Sequence, residues 1–327
     1  MEMRILGRTG RAVSVVGLGT WQLGADWGAI EEPAALAVLD AAAESGVTLL
    51  DTADVYGDGR SERLIGRFLA SNPGLRMMVA TKMGRRAPLD PAEYTLTNFR
   101  AWTDRSRANL GVDTLDLVQL HCPPTPVYSL DAVYDALDTL VADKRIAAYG
   151  VSVETCAEAL TAIARPGTAS VQIILNAFRR KPLDQVLPAA QAAGVGVITR
   201  VPLASGLLSG RYTHDTSFDA TDHRSYNRHG EAFDVGETFA GVDFATGVDA
   251  AREFAALAPA GTAPAQAALR WIIQQPGVTT VIPGARDPQQ ARQNAAAAGL
   301  PPLTDDQLRG IQDLYDRRLR ALVHHRW

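Results

Sequence analysis

Four side chains that could move protons follow the ends of apolar runs in this sequence. Asp51 ends the run VTLLD, and Tyr56 lies five residues later. Lys82 follows MMVAT, and His121 ends LDLVQLH. A phenol has a pKa of about 10, which is too high for efficient proton transfer near neutral pH. A nearby lysine ammonium lowers that pKa, and a carboxylate keeps a buried lysine charged.

These four residues are interpreted as parts of one site. Asp51, Lys82 and Tyr56 form a predicted proton relay, and His121 can hydrogen-bond to a carbonyl oxygen. The set suits a carbonyl that becomes an alkoxide, and it contains no nucleophile and needs no metal. The electrons must then come from a cofactor, most simply as a nicotinamide hydride. Each residue alone is ordinary, but their places at successive strand ends favour a site.

The elements that must position these residues are apolar runs alternating with helical patterns. Continuous apolar runs are typical of parallel strands buried on both faces. The predicted strands are 13–19, 47–51, 77–81, 115–121, 146–152, 170–176, 194–201 and 278–284. The predicted helices are 33–45, 61–70, 94–109, 129–142, 154–164, 183–193, 263–275 and 287–298. Eight such units predict one α/β domain over residues 1–327, a (β/α)8 TIM barrel whose strand ends meet at one mouth.

Three segments lie outside the eight units. Residues 3–12 are predicted to form a β-hairpin under the barrel, and 304–322 an extra helix. The segment from about 206 to 245 is predicted to be a long loop over the C-terminal face. A doubly wound sheet is the competing fold, but GLGTWQLG departs from the dinucleotide-binding motif. Its third glycine comes two positions late, and no helix follows at once.

Composition excludes several classes of protein. The net charge is −4 and the basic residues are scattered, so neither a nucleic-acid nor a membrane partner is expected. No apolar run reaches the roughly 18 residues of a membrane span. Cys122 and Cys156 fit neither a zinc site nor a disulfide framework, which favours the cytoplasm. The spacing of the histidines at 214, 223 and 229 fits no standard metal site, and the oligomeric state stays open.

The sequence resembles the aldo-keto reductase family. The resemblance rests on blocks in family order along nearly the whole chain: GVTLLDTADVYGDGRSERLIG (46–66), ATKMG (80–84), LDLVQLHCPP (115–124), GVS (150–152), VQIILN (171–176), VPLASGLLSGRY (201–212) and VIPGARDPQQARQN (281–294). It implies that Tyr56 is the general acid, that Lys82 and Asp51 tune it, and that His121 orients a small-molecule carbonyl substrate. It also implies NADP(H), held in an extended pose across the barrel mouth.

The resemblance also assigns cofactor positions one at a time. Ser152 and Gln172 match the residues that bind the nicotinamide carboxamide. The remaining matches are Leu203, Ser205, Gly206 and Leu207 at the pyrophosphate, and Gly284, Arg286, Gln290 and Asn294 at the adenosine 2′-phosphate and adenine. Arg286 begins a predicted helix, where backbone N–H groups and a guanidinium both attract phosphate. Trp21 is expected to form a substrate wall, whereas for Trp27 a core position is equally open.

Three positions depart from the family pattern. Val153 replaces an asparagine, Leu175 replaces an aromatic residue, and Arg200 replaces a tyrosine that stacks on the nicotinamide. A planar guanidinium can still stack. Its charge would disfavour the positive oxidised ring, so we expect Arg200 to favour NADPH over NADP. The alternative is that Arg200 forms a structural ion pair.

Three functions remain open from the sequence. The first is NADPH-dependent reduction of an aldehyde or ketone. The second is a cofactor-binding redox sensor or ancillary subunit with slow turnover, a role that this fold serves in channel-associated relatives. The third is a metal-dependent hydrolase with Asp51 and His121 as ligands. The hydrolase lacks the His-x-His pair expected after the first strand, and Lys82 would repel the metal ion.

Overall fold

A short hairpin precedes the main sheet of the protein. The computed structural model describes residues 1–24 and 30–327. Strands β1 (Met3–Ile5) and β2 (Ala12–Ser14) pair antiparallel, with Met3 opposite Ser14. The expected hairpin over 3–12 and the expected first strand over 13–19 are therefore both wrong in their bounds. The apolar run from 13 to 19 contributes residues to both the hairpin and the main sheet. Side-chain periodicity does not show which sheet a residue joins.

Within the described residues, eight parallel strands form the main sheet. In chain order they are β3 (Leu18–Gly19), β4 (Leu49–Asp51), β5 (Met78–Met83), β6 (Leu117–His121), β7 (Tyr149–Ser152), β8 (Thr168–Ile174), β9 (Gly196–Arg200) and β10 (Thr280–Val281). Each strand pairs with its neighbour in the sequence, so the sheet order follows the chain. The sheet curls, because Gly19 N–H donates to Pro283 O at 3.0 Å and so joins the first strand to the last.

Helices alternate with these strands, as the sequence predicts. They are α1 (Glu32–Glu44), α2 (Arg60–Ser71), α3 (Leu96–Leu110), α4 (Asp131–Ala142), α5 (Cys156–Ile163), α6 (Val186–Ala193), α7 (His223–Tyr226), α8 (Phe244–Leu257), α9 (Pro264–Ile273), α10 (Pro288–Ala296), α11 (Asp305–Arg318) and α12 (Arg320–Val323). Side-chain caps fix several starts, including Thr155 before α5 and Asp287 before α10. The predicted helix over 304–322 is divided at Leu319 into α11 and α12.

Apolar side chains on the two faces of the sheet form two separate cores. The larger core lies between the sheet and the helices. The smaller one fills the inside of the sheet and includes Leu6, Val13, Leu49 and Ile198. Leu6 comes from the hairpin, which therefore closes the end of the sheet opposite the strand C-termini. Arg8 fastens the hairpin there by donating to the carbonyl oxygens of residues 165, 166, 168 and 193.

The long segment after β9 is folded back on itself. Asn227 is buried, and its side-chain oxygen accepts the N–H groups of Ala232 and Phe233 while its nitrogen donates to Thr238. The predicted loop ends where α8 begins. Helix α8 has an amphipathic pattern, but it was not predicted from the sequence. No helix within residues 1–24 and 30–327 has the length and apolar content of a membrane span.

Candidate active site

Adjacent strands bring the predicted proton relay together. Asp51 ends β4, and Lys82 lies near the end of the neighbouring β5. Lys82 Nζ donates to Asp51 Oδ2 at 2.5 Å, to Thr52 O at 2.8 Å and to the Tyr56 hydroxyl at 3.4 Å. Lys82 is 1% exposed and Asp51 3%. The ammonium therefore connects the carboxylate with the phenol inside a nearly dry site.

Burial and neighbouring charges shift the pKa values of this relay in opposite directions. Burial alone would lower the pKa of Lys82, but the adjacent Asp51 carboxylate and Tyr56 raise that pKa above its ordinary value. Burial raises the pKa of Tyr56, and the Lys82 charge only partly opposes this. Lys82 does lower the pKa of Tyr56, as expected, but burial raises that pKa by more, so the net shift is upward. Tyr56 is a protonated phenol at neutral pH.

His121 lies beside the phenol at the end of β6. Its ring meets the Tyr56 ring edge to face, with 5.9 Å between centroids. Burial, followed by the charges of Arg85, Lys82 and Arg200, holds the pKa of His121 well below its ordinary value. Its Nδ1 is buried without a hydrogen-bond partner in the described parts of the chain. The imidazole is therefore neutral, and one N–H can donate to a substrate oxygen.

A pair of glutamines holds the second oxygen of the carboxylate. Gln172 Nε2 donates to Asp51 Oδ1 at 2.7 Å and to Gln119 Oε1 at 3.1 Å, and Gln119 Nε2 lies 3.3 Å from the same Asp51 oxygen. Gln119 is a site residue that the sequence analysis missed. The sequence could have indicated Gln119, because it lies two residues before His121 on one strand and so faces the same side.

A cavity of about 640 Å³ runs across the mouth of the sheet from Tyr56. It is lined by twelve of the predicted site residues: Trp21, Asp51, Tyr56, Gln172, Arg200, Leu203, Ser205, Gly206, Gly284, Arg286, Gln290 and Asn294. Ser152 and Leu207 are fully buried rather than part of this lining, as far as the described residues show. Ser152 instead contacts Cys122 Sγ at 3.4 Å through its hydroxyl.

The middle of the cavity is bordered by an unusual backbone. Val201, Ala204, Ser205 and Gly206 all have positive φ, at 51°, 47°, 54° and 95°. Such conformations are strained for residues other than glycine and persist mainly at functional sites. Within this turn the N–H groups of Ala204 and Gly206 donate to the carbonyl oxygens of Val201 and Leu203 at 3.1 and 2.9 Å, so these two N–H groups are not free to bind an anion. A Cβ on Gly206 would lie 2.3 Å from the Tyr212 hydroxyl oxygen, so only glycine fits there.

The far end of the cavity is built by the start of α10. Gln290 Oε1 accepts the N–H of Arg286 at 3.1 Å, and Asn294 Nδ2 donates to Gly284 O at 3.1 Å. Arg211 also lines the cavity and was not predicted. The cavity therefore runs from the phenol along this turn to the start of α10, where Arg286 lies. These residues fit an elongated dinucleotide with phosphates.

Arg200 belongs to a buried ionic cluster, defined here as Arg85, Glu154, Arg200 and Glu237. Arg200 lies 2.9 Å from Glu154 and 3.2 Å from Glu237, and Arg85 lies 3.5 Å and 3.7 Å from the same two carboxylates. The structural ion pair is thus present. The two carboxylates offset the charge of Arg200, which weakens the reason for expecting Arg200 to favour NADPH over NADP, and that preference stays a prediction.

The cluster also bears on metal binding. Cys122, Glu154 and Glu237 have ligand atoms within 4.8 Å of one another, the one such group of three in the described residues. Arg200 approaches Cys122 Sγ to 3.7 Å, and burial raises the pKa of this thiol to about 12. A protonated thiol beside a guanidinium is a poor metal ligand. The donor set therefore does not fit a metal ion.

Aromatic rings cover the phenol on the solvent side. Trp21 stacks on Tyr56 with 6.1 Å between centroids, and it contacts His223 at 5.3 Å and Phe233 at 6.0 Å. His223 and Phe233 come from the long segment after β9, so that segment does reach the mouth. The position of Trp21 agrees with a substrate wall. Trp27 lies outside the described residues.

Comparison with known proteins gives one consistent result. The model of the Aldo/keto reductase family matches residues 15–316. The aldo-keto reductase YhdN of Bacillus subtilis is 28% identical over 316 residues, which cover 94% of this chain and 92% of that protein. A glycerol dehydrogenase structure from Gluconobacter oxydans has a TM-score of 0.79 and 30% identity, covering 97% of this chain and 95% of its own. An aldo-keto reductase from Klebsiella pneumoniae, solved with NADP and acetate, has a TM-score of 0.72 and 25% identity, covering 98% and 99%. The chain belongs to the aldo/keto reductase family.

Proposed function

We propose that this protein uses NADPH to reduce an aldehyde or ketone to the alcohol. The observation that carries the proposal is the buried contact chain from Asp51 through Lys82 Nζ to the Tyr56 hydroxyl. A protonated phenol held by an ammonium is a proton donor whose conjugate base is stabilised as it forms. Family membership supports the same reaction class.

In the proposed mechanism each residue has one task. NADPH, when bound, supplies a hydride to the carbonyl carbon. Tyr56 donates its proton to the carbonyl oxygen, and Lys82 stabilises the phenolate that remains. Asp51 keeps the buried ammonium charged, and the glutamines at 119 and 172 hold Asp51 in place. Neutral His121 donates an N–H to the same carbonyl oxygen and fixes its direction.

The proposed cofactor pose follows the long axis of the cavity. Tyr56, Gln172 and Arg200 would hold the nicotinamide, and the turn at Ser205 and Gly206 would border the pyrophosphate. Arg286, at the start of α10, would hold the adenosine phosphate. The cavity lining supports this pose, and the Klebsiella relative solved with NADP supports the choice of cofactor. Since Gln172 Nε2 is held by Asp51, its carbonyl oxygen is the atom available to the nicotinamide carboxamide.

The coarser features of the protein fit this proposal. We propose that the curled sheet is a closed (β/α)8 barrel within a single domain, supported by the hydrogen bonds between its first and last strands. The proposed partner is a small carbonyl compound, and the proposed location is the cytoplasm. No nucleic-acid partner is proposed, because the basic residues form no patch in the sequence.

A substrate screen tests the proposed function. Purified protein is mixed with NADPH or NADH and a panel of aldehydes and ketones, and absorbance at the reduced-nicotinamide band is followed. We expect turnover with several carbonyls and a higher kcat/KM with NADPH than with NADH. If NADPH binds but no carbonyl is reduced, the reductase assignment fails and the cofactor-binding sensor becomes the better account.

A further inference from the structure

Asp54 is a buried carboxyl group that the proposed mechanism does not use. It lies in the loop between β4 and α2, two residues before Tyr56, and it is 0% exposed. In the described part of the chain, neither of its carboxyl oxygens has a hydrogen-bond partner of normal geometry. The N–H of Val55 lies close enough to favour the ionised form slightly. A buried carboxylate without partners is costly, so a carboxyl group in this position tends to keep its proton.

Charged groups from three neighbouring segments face Asp54. Glu62 on α2 is fully buried, and its carboxylate accepts two side-chain hydrogen bonds. Burial and then Glu62 raise the pKa of Asp54 to about 7. Arg86, which follows β5, and Arg105, on α3, act in the opposite direction. Tyr94, which precedes α3, also interacts electrostatically with Asp54.

The two arginines are held by Asp58, at the other end of the same loop. Arg86 Nη1 and Arg105 Nη2 both donate to Asp58 Oδ1, the second of them at 2.8 Å. Asp58 is exposed, and its bonds with Arg86 and then Arg105 lower its pKa. Tyr56 lies midway between Asp54 and Asp58 in the chain. The two carboxyl groups therefore compete for the same guanidiniums from either side of Tyr56.

A small movement of this loop is enough to disturb the proton relay. The N–H of Asp54 donates to Lys82 O at 3.2 Å, and the N–H of Tyr56 donates to Ala53 O at 3.2 Å. The contact of Lys82 Nζ with the Tyr56 hydroxyl, at 3.4 Å, is already longer than its bonds to Asp51 and to the backbone. A hydrogen bond of that length is lost with a slight further displacement.

We propose that Asp54 is a positioning residue: its protonated carboxyl group keeps Tyr56 in place, and its ionisation moves the phenol away from Lys82. The ionised group attracts the two arginines, which then leave Asp58. Reduction therefore slows as the pH rises through the neutral range. The pKa of Tyr56 is raised above its ordinary value, so loss of the phenol proton does not explain such a fall. This inference rests on the proposed carbonyl reduction.

The pH profile of the chemical step tests the proposal. Single-turnover rates with bound NADPH and a good carbonyl substrate are measured from pH 6 to pH 9. Asp54→Asn keeps the shape of the protonated carboxyl group and cannot ionise. We expect the native rate to fall at least about fivefold over this range and the Asp54→Asn rate to fall less than about twofold.

Glu154→Gln is the matched control, because burial also raises the pKa of Glu154 to about 7. Glu154 belongs to the buried ionic cluster rather than to the loop of Tyr56. Whatever its rate at pH 6, Glu154→Gln should keep the native fall toward pH 9. Asp58→Asn is a second variant, on the surface, and it frees the two arginines for ionised Asp54. Its fall should come at a pH lower by at least about half a unit.

Thermal unfolding gives a readout that does not depend on turnover. Ionised Asp54 destabilises only the folded state, so the Tm advantage of Asp54→Asn over the native protein should grow from pH 5 to pH 8. A Tm difference that is independent of pH would overturn the role of Asp54. An equal fall in rate for Asp54→Asn and the native protein, or no fall in the native protein, would overturn it too and leave carbonyl reduction intact. Absence of turnover at every pH would overturn the proposed function and this inference with it.

Discussion

At the scale of single residues, the chemistry depends on how burial and charge compete. Tyr56 has a raised pKa because desolvation outweighs the neighbouring Lys82. Its phenol therefore keeps its proton at neutral pH and is in the form that can donate to a carbonyl oxygen. Sequence motifs identified Asp51, Tyr56, Lys82 and His121, since each follows the end of an apolar strand. These motifs could not show the net pKa of Tyr56, because that pKa depends on how far the folded protein excludes water from the phenol.

The net charge of the buried ionic cluster depends on pH because of Glu154. Burial raises the pKa of Glu154 to about 7, although Arg200 opposes this. Above pH 7 the ionised carboxylate offsets Arg200, and below pH 7 its protonation leaves net positive charge beside the proposed nicotinamide position. Oxidised nicotinamide is positive, so we expect the ratio Kd(NADP)/Kd(NADPH) to rise roughly fivefold from pH 8 to pH 6.

Titration calorimetry or fluorescence quenching at several pH values measures this ratio. The phosphates of the cofactor titrate alike in both forms, so their contribution cancels. Glu154→Gln removes the titrating group, and its ratio should be high and independent of pH. A native ratio that stays constant between pH 6 and pH 8 would show that Glu154 does not control the charge at this position.

At the scale of elements, short apolar strands were predictable and the long segment after β9 was not. Asp51 and His121 end strands whose apolar runs are clear in the sequence. The contacts of Glu237 with Arg85 and Arg200 join residues far apart in the chain, and no local pattern encodes such pairs. Helix α8 was not predicted, because it directly follows a long segment whose composition indicates a loop.

Trp327 packs against the long segment after β9 and stabilises its position. Its indole N–H lies 3.1 Å from Asp234 Oδ1, and the Arg179 guanidinium lies 3.9 Å from its ring centroid. Arg179 in turn donates to Glu154 O. We expect Trp327→Ala to speed proteolytic cleavage between residues 206 and 243 about tenfold and to weaken NADPH binding several-fold, because the segment loses its outer support.

Limited proteolysis with mass spectrometry locates the cleavage sites. Trp102→Ala serves as the control, since Trp102 is half-buried against Tyr94 and Phe99 on α3. It should lower overall stability without exposing the long segment. If both variants are cut in the same places at the same rate, Trp327 has no specific role in holding that segment.

At the scale of the whole molecule, stability and chemistry lie at opposite ends of the sheet. The hairpin closes one end with Leu6, and the strand C-termini build the site at the other. We expect Leu6→Ala to lower the free energy of unfolding by about 2–5 kcal/mol, because a fully buried side chain is lost. The kcat/KM of the folded variant should stay within about twofold of the native value.

Urea denaturation and steady-state kinetics on the same samples separate the two effects. Ile5→Ala is the matched control, since Ile5 is the neighbouring residue and is 57% exposed. It should change neither stability nor activity appreciably. A large loss of kcat/KM in folded Leu6→Ala would contradict the separation of the two ends.

The central claim is that Tyr56 donates the proton in carbonyl reduction. Tyr56→Phe removes one hydroxyl and leaves the ring that packs against Trp21 and His121. The most direct test is the single-turnover rate of this variant with bound NADPH and a good carbonyl substrate, measured beside its Kd for NADPH. We expect the rate to fall by a factor on the order of 10³ or more while Kd stays within threefold. A rate within tenfold of the native value would contradict the account.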